Sequence, residues 1–150
     1  MLHKICRLYV HTDHEREDLF QEIIIQLWKS YPKFRGESKF TTWMYRIALN
    51  TAISDLRKQK HRFTTIEPDQ IPEQIDDQYN RDKDEQFLQL HQAIDQLNAV
   101  EKAIIMLFLE DRTYEEMEEI LGINQGNLRV KMNRIKDKLR KLTKAVEYGA

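Results

Sequence analysis

The chain has 150 residues, 33% of them charged, and its 24 Lys and Arg nearly balance 25 Asp and Glu, so bulk charge marks no obvious polyanion binder. Four Gly and three Pro are too few for the turns of a sandwich, a barrel or a Gly-rich phosphate-binding sheet enzyme, and the single Cys6 excludes an internal disulfide framework and a Cys-based zinc site. No apolar run approaches the ~18 residues of a membrane span and no signal peptide opens the chain, so the expectation is a soluble, all-α, cytoplasmic protein of one domain or two small ones.

Residues 1–10 read as a piece of helix, with Ile5, Leu8 and Tyr9 apolar. Asp13 is the expected cap of the next helix. Its apolar stripe is Leu19, Phe20, Ile23, Ile24, Leu27, Trp28 and Tyr31. Pro32 disfavours helix at Tyr31 and should stop it. YPKFRGESKF (31–40) is then a loop with Gly36 at its bend. In the following helix Trp43, Met44, Ile47, Ala48, Ala52 and Leu56 are expected to share a face, which gives way to the basic run RKQKHR (57–62).

Residues 63–84 hold two Pro, three Gln and five Asp with no helical stripe, and read as a linker. The next unit opens with Phe87, Leu90, Ile94 and Leu97. Asn98 and Glu101 have capping-box-like spacing ahead of the apolar AIIMLFLE (103–110). Thr113 and Glu116 fit the full capping box. That helix ends at Leu121-Gly122, and a last one runs from about Gln125 with Leu128, Met132, Ile135, Leu139 and Leu142 as its seam.

Charge is sorted along this plan. Residues 29–62 carry +7, 64–96 carry −7, 110–119 carry −5 and 120–144 carry +7. Two basic blocks of this size can neutralise phosphates although the total is near zero. The acidic stretch between them is a candidate mask for both.

The strongest motif is TYEEMEEILGINQGNLRVKMNRIKDKL (113–139), a helix, a tight Gly turn and a helix. Gly122 can take the left-handed conformation that reverses the chain. Met117, Leu121, Ile123 and Leu128 stand where the two helices must pack. The second helix is basic outside, through Arg129, Lys131, Arg134, Lys136 and Lys138, and opens on the uncharged Asn124, Gln125 and Asn127. That suits a helix whose first turn meets base edges while its cations hold phosphates. Glu118 departs from the motif, which usually has a small residue there. Its carboxylate must tilt out, or the helices sit slightly apart.

The first unit interleaves Phe34, Phe40, Trp43 and Tyr45 with Arg35, Lys39, Arg46, Arg57 and Lys58. Aromatics stack on unpaired bases and cations track the backbone, which suits single-stranded or melting DNA. Trp43 reads better as a core residue. Arg35, Lys39 and the 57–62 run do not.

DLFQEIIIQLW (18–28) with FRGESKFTTWMYRIALNTAISDLRK (34–58) resembles conserved region 2 of the bacterial RNA polymerase sigma factors of the extracytoplasmic-function (ECF) group. LNAVEKAIIMLFLEDRTYEEMEEILGI and the helix-turn-helix look like their region 4. The resemblance implies region 2 at 1–62, a linker at 63–84 and region 4 at 85–145, with core RNA polymerase, promoter DNA and an anti-sigma factor as partners. It further implies polymerase docking by Asp18, Gln21 and Glu22 with apolar support from Leu27 and Trp28. Capture and lining of the −10 element would fall to Arg35, Lys39, Phe40, Arg46, Asn50, Arg57 and Lys58. The −35 element would be read by Asn124, Gln125, Asn127, Arg129, Lys131, Arg134 and Lys138. Family members carry two turns or more of helix before the position of Met1, so the expectation is a fragment, a start placed late, or a bundle short by part of one helix.

Other chemistries are weaker. His11, Asp13, His14, Glu15, Glu17 and Asp18 are dense in potential ligands but match no zinc helix spacing, and a solvated first turn is the better reading. No Ser/His/Asp order or Gly-rich phosphate loop appears, so no enzyme, cofactor, metal or direct membrane insertion is expected. A helix-turn-helix regulator that never engages polymerase is the competing function. A helical module whose basic faces meet acidic partners is the third.

Overall fold

A computed structural model describes residues 1–63 and 85–147, with side chains over 1–58 and 88–143. Residues 64–84, nearly all of the expected linker, and the masking role considered for it lie outside the described residues. Among the described residues there are seven α-helices, one 3₁₀ turn and no strand. The chain divides into two compact units, Met1–Tyr79 and Asn80–Ala150.

The first unit packs three helices pairwise: α1 (Leu2–Tyr9), α2 (Asp13–Ser30) and α3 (Phe40–Phe63). Its core is Ile5, Cys6, Tyr9 and Val10, Leu19 and Ile23, then Tyr45, Ala48, Leu49 and Ala52. Burial pushes the Cys6 thiol up, against the pull of the nearby Arg16 cation, and also raises the Tyr9 hydroxyl. Cys6 is thus an apolar core side chain.

Three local expectations change. Thr12, not Asp13, caps α2: its Oγ1 accepts the Glu15 N–H at 3.2 Å. Asp13 is the first helical residue, where its charge meets the positive end of the helix dipole. The α-helix does stop at Ser30, but Tyr31 keeps helical dihedrals (φ −55°, ψ −42°) and the chain tightens into a 3₁₀ turn over Tyr31–Lys33. The buried face of α3 is Thr42, Tyr45, Ala48, Leu49 and Ala52, while Trp43, Met44, Ile47 and Leu56 are only half-buried. The helix is apolar on two sides, and both α1 and α2 pack against it.

In the second unit α7 (Gln125–Glu147) is the spine against which α4 (Glu85–Asp95), α5 (Ala99–Leu109) and α6 (Tyr114–Leu121) each pack. Every side chain from Lys102 to Leu107 is buried, as expected of a helix that is apolar nearly all round. Ile94 and Leu97, Met117 and Ile120, and Leu128, Met132 and Ile135 complete the core. Ile120 fills the place expected of Leu121 and Ile123, which are half-buried, as are Leu139 and Leu142 farther along the α7 seam.

The caps reverse their expected ranking. Asn98 and Glu101 form the full reciprocal box, with the Glu101 N–H donating to Asn98 Oδ1 at 2.8 Å and the Asn98 N–H to Glu101 Oε1 at 3.1 Å. At Thr113 the hydroxyl caps the Glu116 N–H, while the Glu116 carboxylate turns to Arg112 at 3.2 Å. Gly122 ends α6 at φ +71°, in the left-handed region. Nothing lies within 4 Å of where a Cβ would stand, so only backbone conformation restricts the position. Gly122→Ala is therefore expected to cost about 1–2 kcal/mol, and Gly122→Asn less, in urea unfolding.

Lys102 is buried, with its Nζ 3.9 Å from Asp95. Burial pulls its pKa down and Asp95 opposes that shift. The unfolded chain then binds more protons than the folded one between the depressed folded pKa and the ordinary lysine value. Stability attributable to this group rises with pH across that window. Lys102→Met should equal or exceed the parent in stability at neutral pH, by up to about 1 kcal/mol, and should lack that alkaline gain. Urea midpoints of both proteins at neutral pH and at about pH 10 check the sign.

Candidate functional site

At about 100° per residue, α2 presents Asp18, Gln21, Glu22, Ile25 and Trp28 along one side, roughly opposite the buried Leu19 and Ile23. The expected stripe placed Trp28 with the core. Instead it is 82% exposed, and Ile24, Ile25 and Tyr31 are exposed too. One helix side cannot bury three consecutive isoleucines as well as the residues a turn away. Leu27 is half-buried. Gln26 Nε2 donates to Glu22 Oε1 at 3.0 Å, and His14 lies 3.5 Å from Asp18 at the head of the same side. Acidic and amide groups thus share a ridge with two large apolar side chains, a combination that suits a protein surface more than solvent. Ile25 was missed in the sequence; its signal was the run Ile23-Ile24-Ile25.

The other flank of the unit is basic and aromatic. Trp43 does not enter the core but gathers the rings of Phe34, Phe40 and Tyr31, with centroids 5.0, 5.5 and 6.3 Å away. Phe34 and Phe40 meet edge to face at 5.8 Å. This cluster ties the 3₁₀ turn, the loop and the start of α3 together. Gly36, at φ +74°, bends the loop between them. Arg35, Lys39 and Phe40 are exposed around the cluster. Along α3, Trp43, Arg46, Asn50 and Arg57 fall within a narrow strip at helical spacing, with Arg46, Asn50 and Arg57 exposed. Lys58 is exposed on the adjoining strip. It lines a polar groove of about 580 Å³ between α2 and α3 together with Glu22, Gln26, Asn50 and Asp55. One groove therefore joins residues expected to dock polymerase with residues expected to line DNA.

In the second unit the residues assigned to base reading take different positions. Asn124 caps α7, its Oδ1 accepting the Asn127 N–H at 2.8 Å. Gln125 is half-buried and Asn127 exposed. Arg129, Lys131 and Arg134 are exposed. The Arg129 guanidinium lies over the Tyr114 ring at 5.2 Å, and Lys136 Nζ over the Phe108 ring at 5.0 Å. Lys138 is held internally: its Nζ donates to both Glu101 oxygens, at 2.8 and 3.0 Å. Glu101 thus caps α5 and clamps α7 together. Glu118 is half-buried. Among the described residues no group of three or more His, Cys, Asp or Glu could hold a metal ion, and no helix is long and apolar enough to cross a membrane.

A three-helix unit with an acidic-apolar ridge and a basic-aromatic flank, and a helix-turn-helix unit with a basic second helix, fit a protein of transcription initiation. Residues 1–62 match the model of the Sigma-70 region 2 family and residues 87–139 that of Sigma-70, region 4. The RNA polymerase sigma factor SigV of Bacillus subtilis is 32% identical over 134 residues, which cover 88% of this chain and 78% of SigV. The ECF RNA polymerase sigma-E factor of Escherichia coli is 30% identical over 132 residues, covering 80% of this chain and 69% of that one. The sigma factor RpoE of Bartonella quintana, solved in complex with the anti-sigma factor NepR, shares the fold at a TM-score of 0.74 and 19% identity, over 95% of this chain and 89% of RpoE. The chain belongs to the ECF group of RNA polymerase sigma factors, and its function is to direct RNA polymerase to promoters.

The exposure of Trp28 separates stability from docking. Trp28→Ala should change urea stability by less than about 0.5 kcal/mol, as at a solvated surface site. Leu19→Ala should cost about 2–5 kcal/mol. Equal losses would place Trp28 in the core.

Proposed function

We propose that the first unit carries both polymerase docking and −10 capture, and that the second carries −35 reading. Residues 1–62 would act as region 2 and 85–145 as region 4, joined by 63–84. The observation that carries this is the arrangement within the first unit. Glu22 of the α2 ridge and Asn50 and Lys58 of α3 line a single groove. A factor docked through α2 would present α3 to DNA.

In this reading Asp18, Gln21 and Glu22 make the polar contacts to core RNA polymerase, and Trp28, with Ile25 beside it, supplies the desolvated anchor. Leu27 supports the ridge from beneath. Arg35, Lys39 and Phe40 capture an unstacked promoter base, and Arg46, Asn50, Arg57 and Lys58 track the opened strand. In α7, Gln125, Asn127 and Arg129 face base edges, while Lys131 and Arg134 hold phosphates. Two residues take changed roles. Asn124 orders the first turn as its cap, and Lys138 positions α7 through Glu101.

The protein acts in the cytoplasm as an initiation factor and not as a catalyst. An anti-sigma factor is proposed as its partner in the inactive state. RpoE, of the same fold, is solved with the anti-sigma factor NepR bound, and CnrH, at a TM-score of 0.62 and 16% identity, is solved in complex with the cytosolic domain of CnrY.

The test is run-off transcription with purified chain, core polymerase and fragments of the source genome. Initiation at discrete sites is expected, and Trp28→Ala and Glu22→Arg should reduce it together with core-polymerase pull-down. Reversal of a charge at an interface weakens binding strongly when it meets a like charge. Full pull-down by both variants overturns the docking face. On −35 duplex variants across a salt series, Asn127→Ala should reorder sequence preference by about 1–3 kcal/mol. Arg134→Ala should weaken all sequences evenly and make the salt slope shallower by about one unit.

A further inference from the structure

The basic residues of α7 are held in two chemically different ways. Lys138 is engaged by the Glu101 carboxylate through two hydrogen bonds, which take up two of its three N–H donors. Arg129 lies over the Tyr114 ring instead. A ring beneath a guanidinium attracts the cation without taking up its N–H donors as a carboxylate does. Those donors are what a guanine edge or a phosphate requires. Arg112 shows the contrast, with its guanidinium donating to Glu116.

The ring is itself well placed for this. Tyr114 is the first residue of α6 and is half-buried. The preceding Thr113 fixes the helix start by capping the Glu116 N–H at 3.1 Å. Gly122 then sets the direction in which α7 leaves α6. Arg129 stands on the second turn of α7, just beyond the polar first turn, where a free arginine would sample many rotamers and lose that freedom on contact with DNA.

We propose that Tyr114 is a positioning residue for −35 recognition: its ring holds the Arg129 guanidinium near the start of α7 and leaves its N–H donors for DNA. The inference rests on the reading of α7 as the −35 helix and of Arg129 as a contact, and assigns a specificity role to the supporting helix α6.

The experiment uses the full chain assembled with core RNA polymerase and a promoter library randomised over the −35 region, with bound duplexes sequenced at several salt concentrations. Tyr114→Leu should lower affinity or discrimination at the position served by Arg129 by about two- to fivefold, the range of an exposed cation–π contact. Tyr114→Phe keeps the ring and should restore the parent within twofold. In an Arg129→Ala background, Tyr114→Leu should have no further effect. Equal losses in Tyr114→Phe and Tyr114→Leu overturn the proposal, because the hydroxyl and not the ring would then matter. An undiminished Tyr114→Leu effect in the Arg129→Ala background also overturns it, because Tyr114 would then act without Arg129. An Arg129→Ala variant indistinguishable from the parent removes the underlying reading of Arg129 instead. Thermal melts of all four variants confirm that each is folded.

Discussion

An α-helix can bury only one side against a three-helix core, and both functional surfaces of the first unit follow from that limit. α2 carries more large apolar side chains than Leu19, Ile23 and their half-buried neighbours can accommodate. The surplus, Ile25 and Trp28, lies outside beside Asp18, Gln21 and Glu22. α3 meets the limit differently. Its inner side is Ala48, Leu49 and Ala52, which leaves Trp43 on the outer strip with the cations. The aromatic residues around Trp43 then order a loop that has little other means of holding a shape.

The second unit follows the opposite rule. α5 is buried over almost its whole circumference, so it offers little surface and serves as the floor for α7. Fixing α7 needs more than apolar packing, because its mean hydropathy is low and, among its described side chains, only Leu128, Met132 and Ile135 are fully buried. Two polar devices add the rest. Asn124 closes the first turn, and Glu101 secures the third and fourth turns through Lys138. The exposed pair contributes little energy by itself. Glu101 is nearly buried, however, and already committed to the α5 cap, so the contact gives α7 a definite register.

These arrangements explain why charge sorting along the chain matters more than net charge. Along α3, Arg46 and Arg57 are exposed on a strip away from the core, and along α7 Arg129, Lys131 and Arg134 are exposed. Within a block the cations are still not equivalent. Arg134 and Lys131 are exposed, the Arg129 guanidinium lies over a ring, and Lys138 is paired with a carboxylate. On the proposed reading of α7, affinity for phosphate and selectivity for bases are adjusted by different residues.

Much of this was legible in one dimension. Helical periodicity, the paucity of Gly and Pro, the turn at Gly122 and the two charged blocks determine an all-α chain with a helix-turn-helix. The motifs at 18–58 and 113–139 determine its class. Local chemistry was enough there, because helix periodicity and the left-handed preference of glycine act within a few residues. The choice of buried side needed tertiary structure. Trp28 and Trp43 satisfy a helical stripe as well as any core residue, and only competition for a finite interior left Trp28 exposed and Trp43 half-buried among rings at the edge of the core. The same holds for Ile120 over Leu121. The partners of α7 were hidden for a further reason. Tyr114–Arg129 and Glu101–Lys138 join residues 15 and 37 positions apart, and no periodicity within a single helix reports a contact made by folding one helix back on another.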